Sequence, residues 1–212
     1  LILAFAAAGC NQEASAQTAQ EGAQFYLRFS LIDNEDHPSG IAAQAFKEKV
    51  EELSGGQIQV DLFFNSTLYS QGATLPALVS GELDISYISK QLTATLMPAM
   101  EMFASTYMFK NYEHMRAVMD SEIGEELFQK IADEAGYIPL DCHYSGNRNI
   151  NSTTEEPIMT PEDMNEIILR MPDSRTWIQA GESLGAKVTP LAFPEVYTAL
   201  QTGTIDAQDN PI

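Results

Sequence analysis

The chain has 212 residues, enough for one large domain or two smaller lobes, and 44% of them are hydrophobic, which excludes a wholly disordered protein. Eleven Lys and Arg against thirty Asp and Glu give a formal net charge of −19, which argues against binding to nucleic acid or to an anionic membrane surface. Two cysteines are too few for a disulfide scaffold, and no apolar run reaches the roughly 18 residues that a membrane-spanning helix needs.

Residues 1–23 have the pattern of a partial signal peptide followed by a polar tether. Leu1 to Ala8 is an apolar run typical of a secretion signal, so we expect the protein to act outside the cytoplasm. Two processing schemes remain open. Ala7-Ala8-Gly9-Cys10 resembles a bacterial lipobox, which predicts lipidation of Cys10 and a membrane contact through that anchor alone. Ala14-Ser15-Ala16 fits ordinary signal cleavage, which predicts a protein free in the periplasm.

From residue 24 the hydrophobic pattern alternates between periods of two and 3.6, which predicts an α/β fold. In the first block, residues 24–146, this pattern predicts strands over Phe25–Phe29, Ile58–Leu62, Leu83–Ile88 and Tyr137–Tyr144. It predicts helices over Pro38–Leu53, Gln71–Ser80 and Asn111–Gly136. The predicted buried face of the first helix consists of Ile41, Ala42, Ala45, Phe46, Val50 and Leu53.

The Ser-Gly-Asn turn at residues 145–147 separates this block from a second one, residues 147–212. In the second block the pattern predicts strands over Arg148–Asn151, Ile167–Met171 and Ile205–Asn210. It predicts one helix capped by Asp173 or Ser174 and running to Leu184, and another from Pro194 to Gly203.

Enzyme chemistry has little support in the sequence. Nucleophile-elbow, dinucleotide-binding and phosphate-loop motifs are absent, and the histidines at 37, 114 and 143 have no metal-ligand spacing. Cys142 next to His143 is the one candidate nucleophile–base pair, but adjacent residues of a strand point to opposite faces. We therefore expect no catalytic site, metal or cofactor, and keep a secreted hydrolase as the alternative of a different class.

Two stretches of the second block are specific to a family. M-T-P-E-D-M-N-E-I-I-L-R-M-P spans Met159 to Pro172, and L-G-A-K-V-T-P-L-A-F-P-E-V-Y-T-A-L-Q-T-G-T-I-D-A-Q-D-N-P spans Leu184 to Pro211. The first block agrees, with Asp36-His37-Pro38, Ser54-Gly55-Gly56 and Ser80-Gly81-Glu82-Leu83-Asp84. From about residue 24 to the last residue the chain resembles the solute-binding proteins of tripartite ATP-independent periplasmic (TRAP) transporters, dicarboxylate-receptor type.

The resemblance implies a two-lobed, periplasmic-binding-protein-like α/β fold with a ligand cleft between the lobes. It implies a non-enzymatic receptor that captures a small organic acid and delivers it to TRAP membrane permease subunits driven by an ion gradient. A receptor that feeds a signalling partner is the alternative within binding proteins. Family members continue with the rest of the second lobe, so the resemblance also implies a chain truncated at its C-terminus.

The resemblance assigns ligand-binding roles residue by residue. The family's carboxylate-clamping arginine falls on Arg170, a second arginine on Arg148, the ligand-contacting asparagine on Asn210 and the aromatic on Phe193. A guanidinium group suits the first role because its planar fork matches a carboxylate with two parallel hydrogen bonds. Without the resemblance, other roles stay open: a snorkelling or ion-paired strand-end arginine for Arg170, a solvated arginine for Arg148, a turn for Asn210 and core packing for Phe193.

Three further positions complete the predicted site. Ser89 and Lys90 stand where some members have an acidic residue, and Lys90 is placed to bring a third positive charge to a second acid group of the ligand. Trp177 either packs in the core or lines the cleft. Glu166 stands where the family usually has glycine before the arginine strand.

Overall fold

The computed structural model describes residues 22–105 and 107–211. Cys10 and Ala16 lie outside the described residues. The first part of the chain contains β1 (Phe25–Ser30), α1 (Pro38–Leu53), β2 (Ile58–Phe63), α2 (Thr74–Ser80) and β3 (Ile85–Ser86). Four helices follow: α3 (Lys90–Thr93), α4 (Glu101–Ala104), α5 (Tyr112–Met119) and α6 (Glu122–Ala135), with a 3-10 turn over Pro98–Met100.

The second part contains β4 (Arg148–Ser152), β5 (Ile168–Met171), α7 (Arg175–Ser183), β6 (Lys187–Pro190), α8 (Val196–Gln201) and β7 (Ala207–Pro211). Two 3-10 turns, Pro161–Met164 and Phe193–Glu195, precede β5 and α8. Within the described part of the chain, no helix combines the length and the apolar character needed to cross a membrane.

The first sheet is parallel, in the order β2-β1-β3. Phe29 stands opposite Leu62 on one side and Ile85 on the other. Because the strands are parallel, the loops that follow them leave from the same edge, where ligands of open α/β sheets bind. The core beneath this edge contains Phe29, Leu31, Ala43 and Val60.

Helix α1 begins as predicted and buries only part of the predicted face. His37 caps its first turn by accepting the Ser39 N–H, and Pro38 takes the first helical position. Gly40 is required there, because a Cβ at this residue would lie 2.3 Å from the carbonyl oxygen of Asn34. The prediction that Ile41 faces the core was wrong, since its side chain is 58% exposed.

The helix face that packs on the sheet runs through Ala43, Phe46 and Val50, so the prediction is confirmed for Phe46 and Val50. Ala42 and Ala45 are exposed, and so is Leu53 at the end of the helix. Ala43, which the prediction left out, is fully buried in their place.

Three further differences concern the rest of the first part. The helix predicted over Asn111–Gly136 is two helices, because the Ser121 side chain caps a new turn at Ile123. The strand predicted over Tyr137–Tyr144 is wrong: no strand among the described residues pairs with this segment, and a strand exists only as part of a ladder. The strand predicted over Leu83–Ile88 shortens to Ile85–Ser86 for the same reason.

The second sheet has the order β4-β7-β5-β6, with β4 antiparallel to β7 and the other neighbours parallel. The predicted strands form, and β6 is an additional strand that the prediction missed. The Ser174 hydroxyl caps α7 by accepting the Trp177 N–H. The α/β prediction is confirmed, and the boundary between residues 146 and 147 stays a prediction.

Candidate ligand-binding site

Arg170 lies in the middle of the second sheet, on β5 between β6 and β7. Arg170 is only 1% exposed. Nε and one terminal nitrogen, Nη2, donate to the carbonyl oxygen of Leu191, at 2.9 and 2.6 Å. No Asp or Glu of the described residues forms an ion pair with this guanidinium group, and its Nη1 has no hydrogen-bond partner there.

Burial lowers the pKa of Arg170 to about 10, and repulsion by Arg148 acts in the same direction. Asp209 and Glu195 oppose this effect without pairing with the group. At neutral pH the guanidinium is still charged. A buried cation without a counter-ion is unfavourable, so the position favours an added anion.

Arg148 is the first residue of β4, and residues of the neighbouring strand β7 hold its side chain in place. Its Nε donates to Asp209 Oδ2 at 2.9 Å, and Nη2 donates to the Asp209 carbonyl oxygen and, at 3.2 Å, to Asn210 Oδ1. The Asn210 amide in turn donates to Gln208 Oε1. The structure therefore brings together Arg148, Asn210 and Arg170, three residues far apart in the sequence.

Trp177 completes this side of the site. The guanidinium carbon of Arg148 lies 4.3 Å from the centroid of the Trp177 ring, within the range of a cation–π contact. The same ring is half-buried against the core of the second sheet. Both roles proposed for Trp177 are thus compatible with its position.

Lys90 approaches the site from the first part of the chain, at the start of α3. No acidic side chain of the described residues forms an ion pair with it, and its Nζ lies 6.0 Å from the centroid of the Phe109 ring. Desolvation lowers the pKa of Lys90, Cys142 opposes this, and Arg148 contributes to the lowering by repulsion. Ser89 has a local contact, because its hydroxyl accepts the Leu92 N–H at the start of α3.

Phe193 faces the loops of the first sheet. Its N–H donates to Gln71 Oε1 at 3.3 Å. Its side chain lines a cavity together with residues that follow β1 and β2. The Glu166 carboxylate pairs with Lys187 Nζ at 2.6 Å, on the far edge of the second sheet.

Cys142 and His143 do not form a nucleophile–base pair. His143 Nε2 lies 3.0 Å from Ser145 Oγ, and the His143 ring packs 4.7 Å from the Tyr87 ring, centroid to centroid. Burial raises the pKa of the Cys142 thiol, with Asp141 adding to the effect, so the thiolate is disfavoured.

Two features of the site were missed in the sequence. Asp209 holds Arg148, yet it is one of thirty acidic residues and nothing in the pattern distinguishes it. Asn65 lines the cavity beside Phe193 and has a φ of 56°, a conformation for which glycine is the usual sequence signal.

Comparison with known proteins agrees with this architecture. Residues 29–212 match the family model of the bacterial extracellular solute-binding proteins, family 7, and the chain belongs to this family. A solute-binding protein of Roseobacter denitrificans is 32% identical over 94% of this chain and 60% of its own length. A C4-dicarboxylate-binding periplasmic protein of Rhodobacter capsulatus is 31% identical over 87% of this chain and 55% of its own.

Solved structures show the same fold. A TRAP periplasmic solute-binding protein of Sulfurospirillum deleyianum with bound succinate has a TM-score of 0.82 at 31% identity, covering 89% of this chain and 60% of that one. One of Roseobacter denitrificans with bound L-galactonate has a TM-score of 0.82 at 32% identity, covering 90% and 62%. The chain thus spans about 60% of the length of these relatives.

Proposed function

We propose that the protein is an extracytoplasmic receptor that binds a small organic acid and delivers it to the membrane permease of a TRAP transporter. The observation that carries the proposal is the environment of Arg170: a buried guanidinium group without a carboxylate partner among the described residues, beside a second arginine. The chain as a whole has a net charge of −19, which repels anions. Only a local arrangement of positive groups, screened by salt from the remaining charge, can therefore attract one.

Arg170 supplies the carboxylate contact in this proposal. Nη1 and the remaining N–H of Nη2 have no partner in the described part of the chain and can donate to a ligand carboxylate while Nε stays on Leu191. Arg148 supplies a second positive charge, and its orientation is fixed by Asp209 and by the Trp177 ring. Asn210 lies within hydrogen-bonding distance of Arg148 and adds a polar group at the same place.

The relatives support the ligand class. Solved relatives hold succinate and L-galactonate, which share a carboxylate and differ in the rest of the molecule. Arg170 and Arg148 account for what the two ligands share. The proposal is binding and delivery rather than catalysis, and it is supported by the one candidate nucleophile–base pair of the sequence, since Cys142 and His143 are not arranged for nucleophilic attack.

A thermal-shift screen of the full-length protein against organic acids tests the proposal. We expect at least one acid to raise the melting temperature, because a ligand that binds only the folded state stabilises it. The same acid is expected to leave the Arg170→Ala variant unshifted and to be recovered chemically unchanged, as judged by NMR. A wild-type protein that no acid stabilises, or an acid that is consumed, would contradict the proposed function.

A further inference from the structure

The strand β2 lies at the edge of the first sheet, because among the described residues it pairs only with β1. The main-chain groups of its odd-numbered residues face β1, as the hydrogen bond from the Leu31 N–H to the Phe63 carbonyl oxygen shows. Those of its even-numbered residues, Ile58, Val60 and Leu62, therefore face away from the sheet. Outward N–H and C=O groups of this kind are a template for pairing with a strand of another chain.

Two ion-paired side chains of α1 occupy both outward groups of Val60. The Glu51 carboxylate accepts the Val60 N–H at 3.0 Å, and the Lys47 ammonium group donates to the Val60 carbonyl oxygen. Lys47 and Glu51 stand one helical turn apart, with 2.8 Å between Nζ and Oε1. Burial raises the pKa of Glu51, but the contacts with Lys47 and the Val60 N–H outweigh this, so the pKa lies below its usual value. The pair is therefore ionised at neutral pH and stands where a neighbouring strand would lie.

The rest of this edge is short. The Ser54 hydroxyl, in the turn after α1, accepts the Ile58 N–H at 3.1 Å. Leu62 is the one outward residue of the described strand whose main-chain groups have no side-chain partner, and it lines a surface pocket together with Lys47. A single open residue is too short for a strand ladder.

The opposite side of the sheet uses the same device. The strand β3 pairs only with Phe29 and Ser30 of β1, so the Arg28 N–H lies beyond its end. The Asp84 carboxylate accepts this N–H at 2.8 Å and pairs with Arg28 Nε at 3.0 Å. On both sides an ion-paired carboxylate caps a strand N–H that no strand pairs.

We propose that the Lys47–Glu51 pair closes the edge of β2 to strand pairing with a second copy of this chain. Without the pair, the outward groups of Val60 and Leu62 form a continuous open edge, and the Ser54 hydroxyl covers only one N–H beside it. The proposal goes beyond the proposed function, since it involves neither the ligand nor the permease.

A second copy fits this edge because β2 is complementary to itself. In an antiparallel pair about a two-fold axis at Val60, Val60 stands opposite Val60 of the second copy, and Ile58 stands opposite Leu62 of the second copy. Each of the three outward residues then has a partner, and apolar side chains face each other. On the other face Asp61 stands opposite Gln59 of the second copy, so no two carboxylates meet.

Sedimentation velocity of the full-length protein over a range of concentrations tests the proposal. The double variant Lys47→Ala/Glu51→Ala uncovers Val60 without changing the net charge. We expect it to self-associate about 30-fold more tightly than the wild type, the value of the two main-chain hydrogen bonds that Val60 regains. Lys47→Ala alone keeps the cap on the Val60 N–H, loses less stability and is expected to show an intermediate effect.

The double variant Lys49→Ala/Glu52→Ala is the matched control. Lys49 and Glu52 form an ion pair of 2.7 Å on the same helix, but their side chains are 61% and 69% exposed and have no main-chain contact with β2. The side chains of Lys47 and Glu51 are about half as exposed, at 31% and 32%. The control is expected to behave like the wild type.

Hydrogen exchange of the Leu62 amide locates the interface. In Lys47→Ala/Glu51→Ala we expect this exchange to slow as the protein concentration rises, because pairing through β2 covers the Leu62 N–H.

Three outcomes would overturn the proposal. A loss of stability in urea without tighter self-association would show that the pair only satisfies the buried main-chain groups of Val60. Equal self-association of the two double variants would assign the effect to the loss of surface charges. Self-association that leaves the exchange of the Leu62 amide unchanged would place the contact elsewhere.

Discussion

The guanidinium carbon of Arg148 lies 4.3 Å from the centroid of the Trp177 ring, while its nitrogens donate to Asp209 and Asn210 on the neighbouring strand. Arg148 is therefore a structural link between β4, β7 and α7 as well as a positive charge. Its side chain is 30% exposed, and that of Asp209 is 12% exposed. Because of these contacts, a conservative substitution of Arg148 should affect both the stability of the protein and the binding of the acid.

From sequence alone, Arg148→Lys would be mild, because lysine keeps the charge. The structure predicts a larger effect: a lysine cannot reproduce the fork of contacts to Asp209 and Asn210. We expect a loss of about 1–2 kcal/mol in the free energy of unfolding together with weaker acid binding. Urea unfolding and calorimetry of the full-length protein measure both quantities.

Arg175→Lys is the matched control for Arg148→Lys. Arg175 is exposed at the start of α7 and forms no ion pair with the described residues. Its replacement is expected to leave stability and affinity unchanged. Equal effects in the two variants would show that the contacts of Arg148 add nothing beyond its charge.

Lys90 should favour binding of the acid through the long-range attraction of its positive charge. It has no acidic partner among the described residues, and it lies close enough to Arg148 for repulsion to lower its pKa. We expect Lys90→Gln to weaken acid binding about 2- to 5-fold and to make binding less sensitive to salt. Lys110→Gln, at another lysine without an ion pair in the described chain, should have no effect; an equal loss there would assign the effect to net charge.

The break between α5 and α6 depends on Gly124. A Cβ at this residue would lie 2.0 Å from the carbonyl oxygen of Met119, and backbone cannot move aside as a flexible side chain can. Gly124→Ala is expected to cost about 1–3 kcal/mol of stability in urea unfolding. Gly72→Ala should be nearly neutral, because a Cβ at Gly72 would have no described atom within 4 Å, and the reverse order of the two variants would contradict this packing.

Acidification should destabilise the protein in part through His143. Desolvation lowers the pKa of His143 from its usual 6.5, although Asp33 and Asp141 oppose the shift. The unfolded chain then binds more protons than the folded one as the pH falls through about 6.5, so stability falls with pH.

The His143→Gln variant lacks this contribution. We expect the stability of the wild type relative to that variant to decrease between about pH 8 and about pH 5 in urea unfolding. NMR titration of the His143 ring should give a pKa below the usual value. A difference in stability that is independent of pH would contradict the assignment.

The sequence predicts those features of the structure whose signal lies within one short stretch of the chain. Arg170 and Arg148 could be proposed from the sequence because each stands at a strand flanked by turn signals and matches a family pattern, and their binding roles stay predictions. The strand β6 is missed because Lys187 to Pro190 is only four residues long, too short for a clear alternating pattern. The cavity is missed because it joins Asn65 to Phe193, and no local pattern encodes that contact.

The conversion of Arg170 to lysine tests the central claim most directly. Arg170→Lys keeps the charge and most of the volume, but a single ammonium nitrogen cannot present a planar fork to a ligand carboxylate while it also donates to Leu191. Removal of a buried, hydrogen-bonded charge contact costs about 2–5 kcal/mol, which corresponds to about a 30- to 5,000-fold loss of affinity. We expect calorimetric titration of the folded, full-length protein with its acid to show a loss in this range for Arg170→Ala and a severe loss for Arg170→Lys as well. Binding equal to that of the wild type would contradict a carboxylate clamp at Arg170.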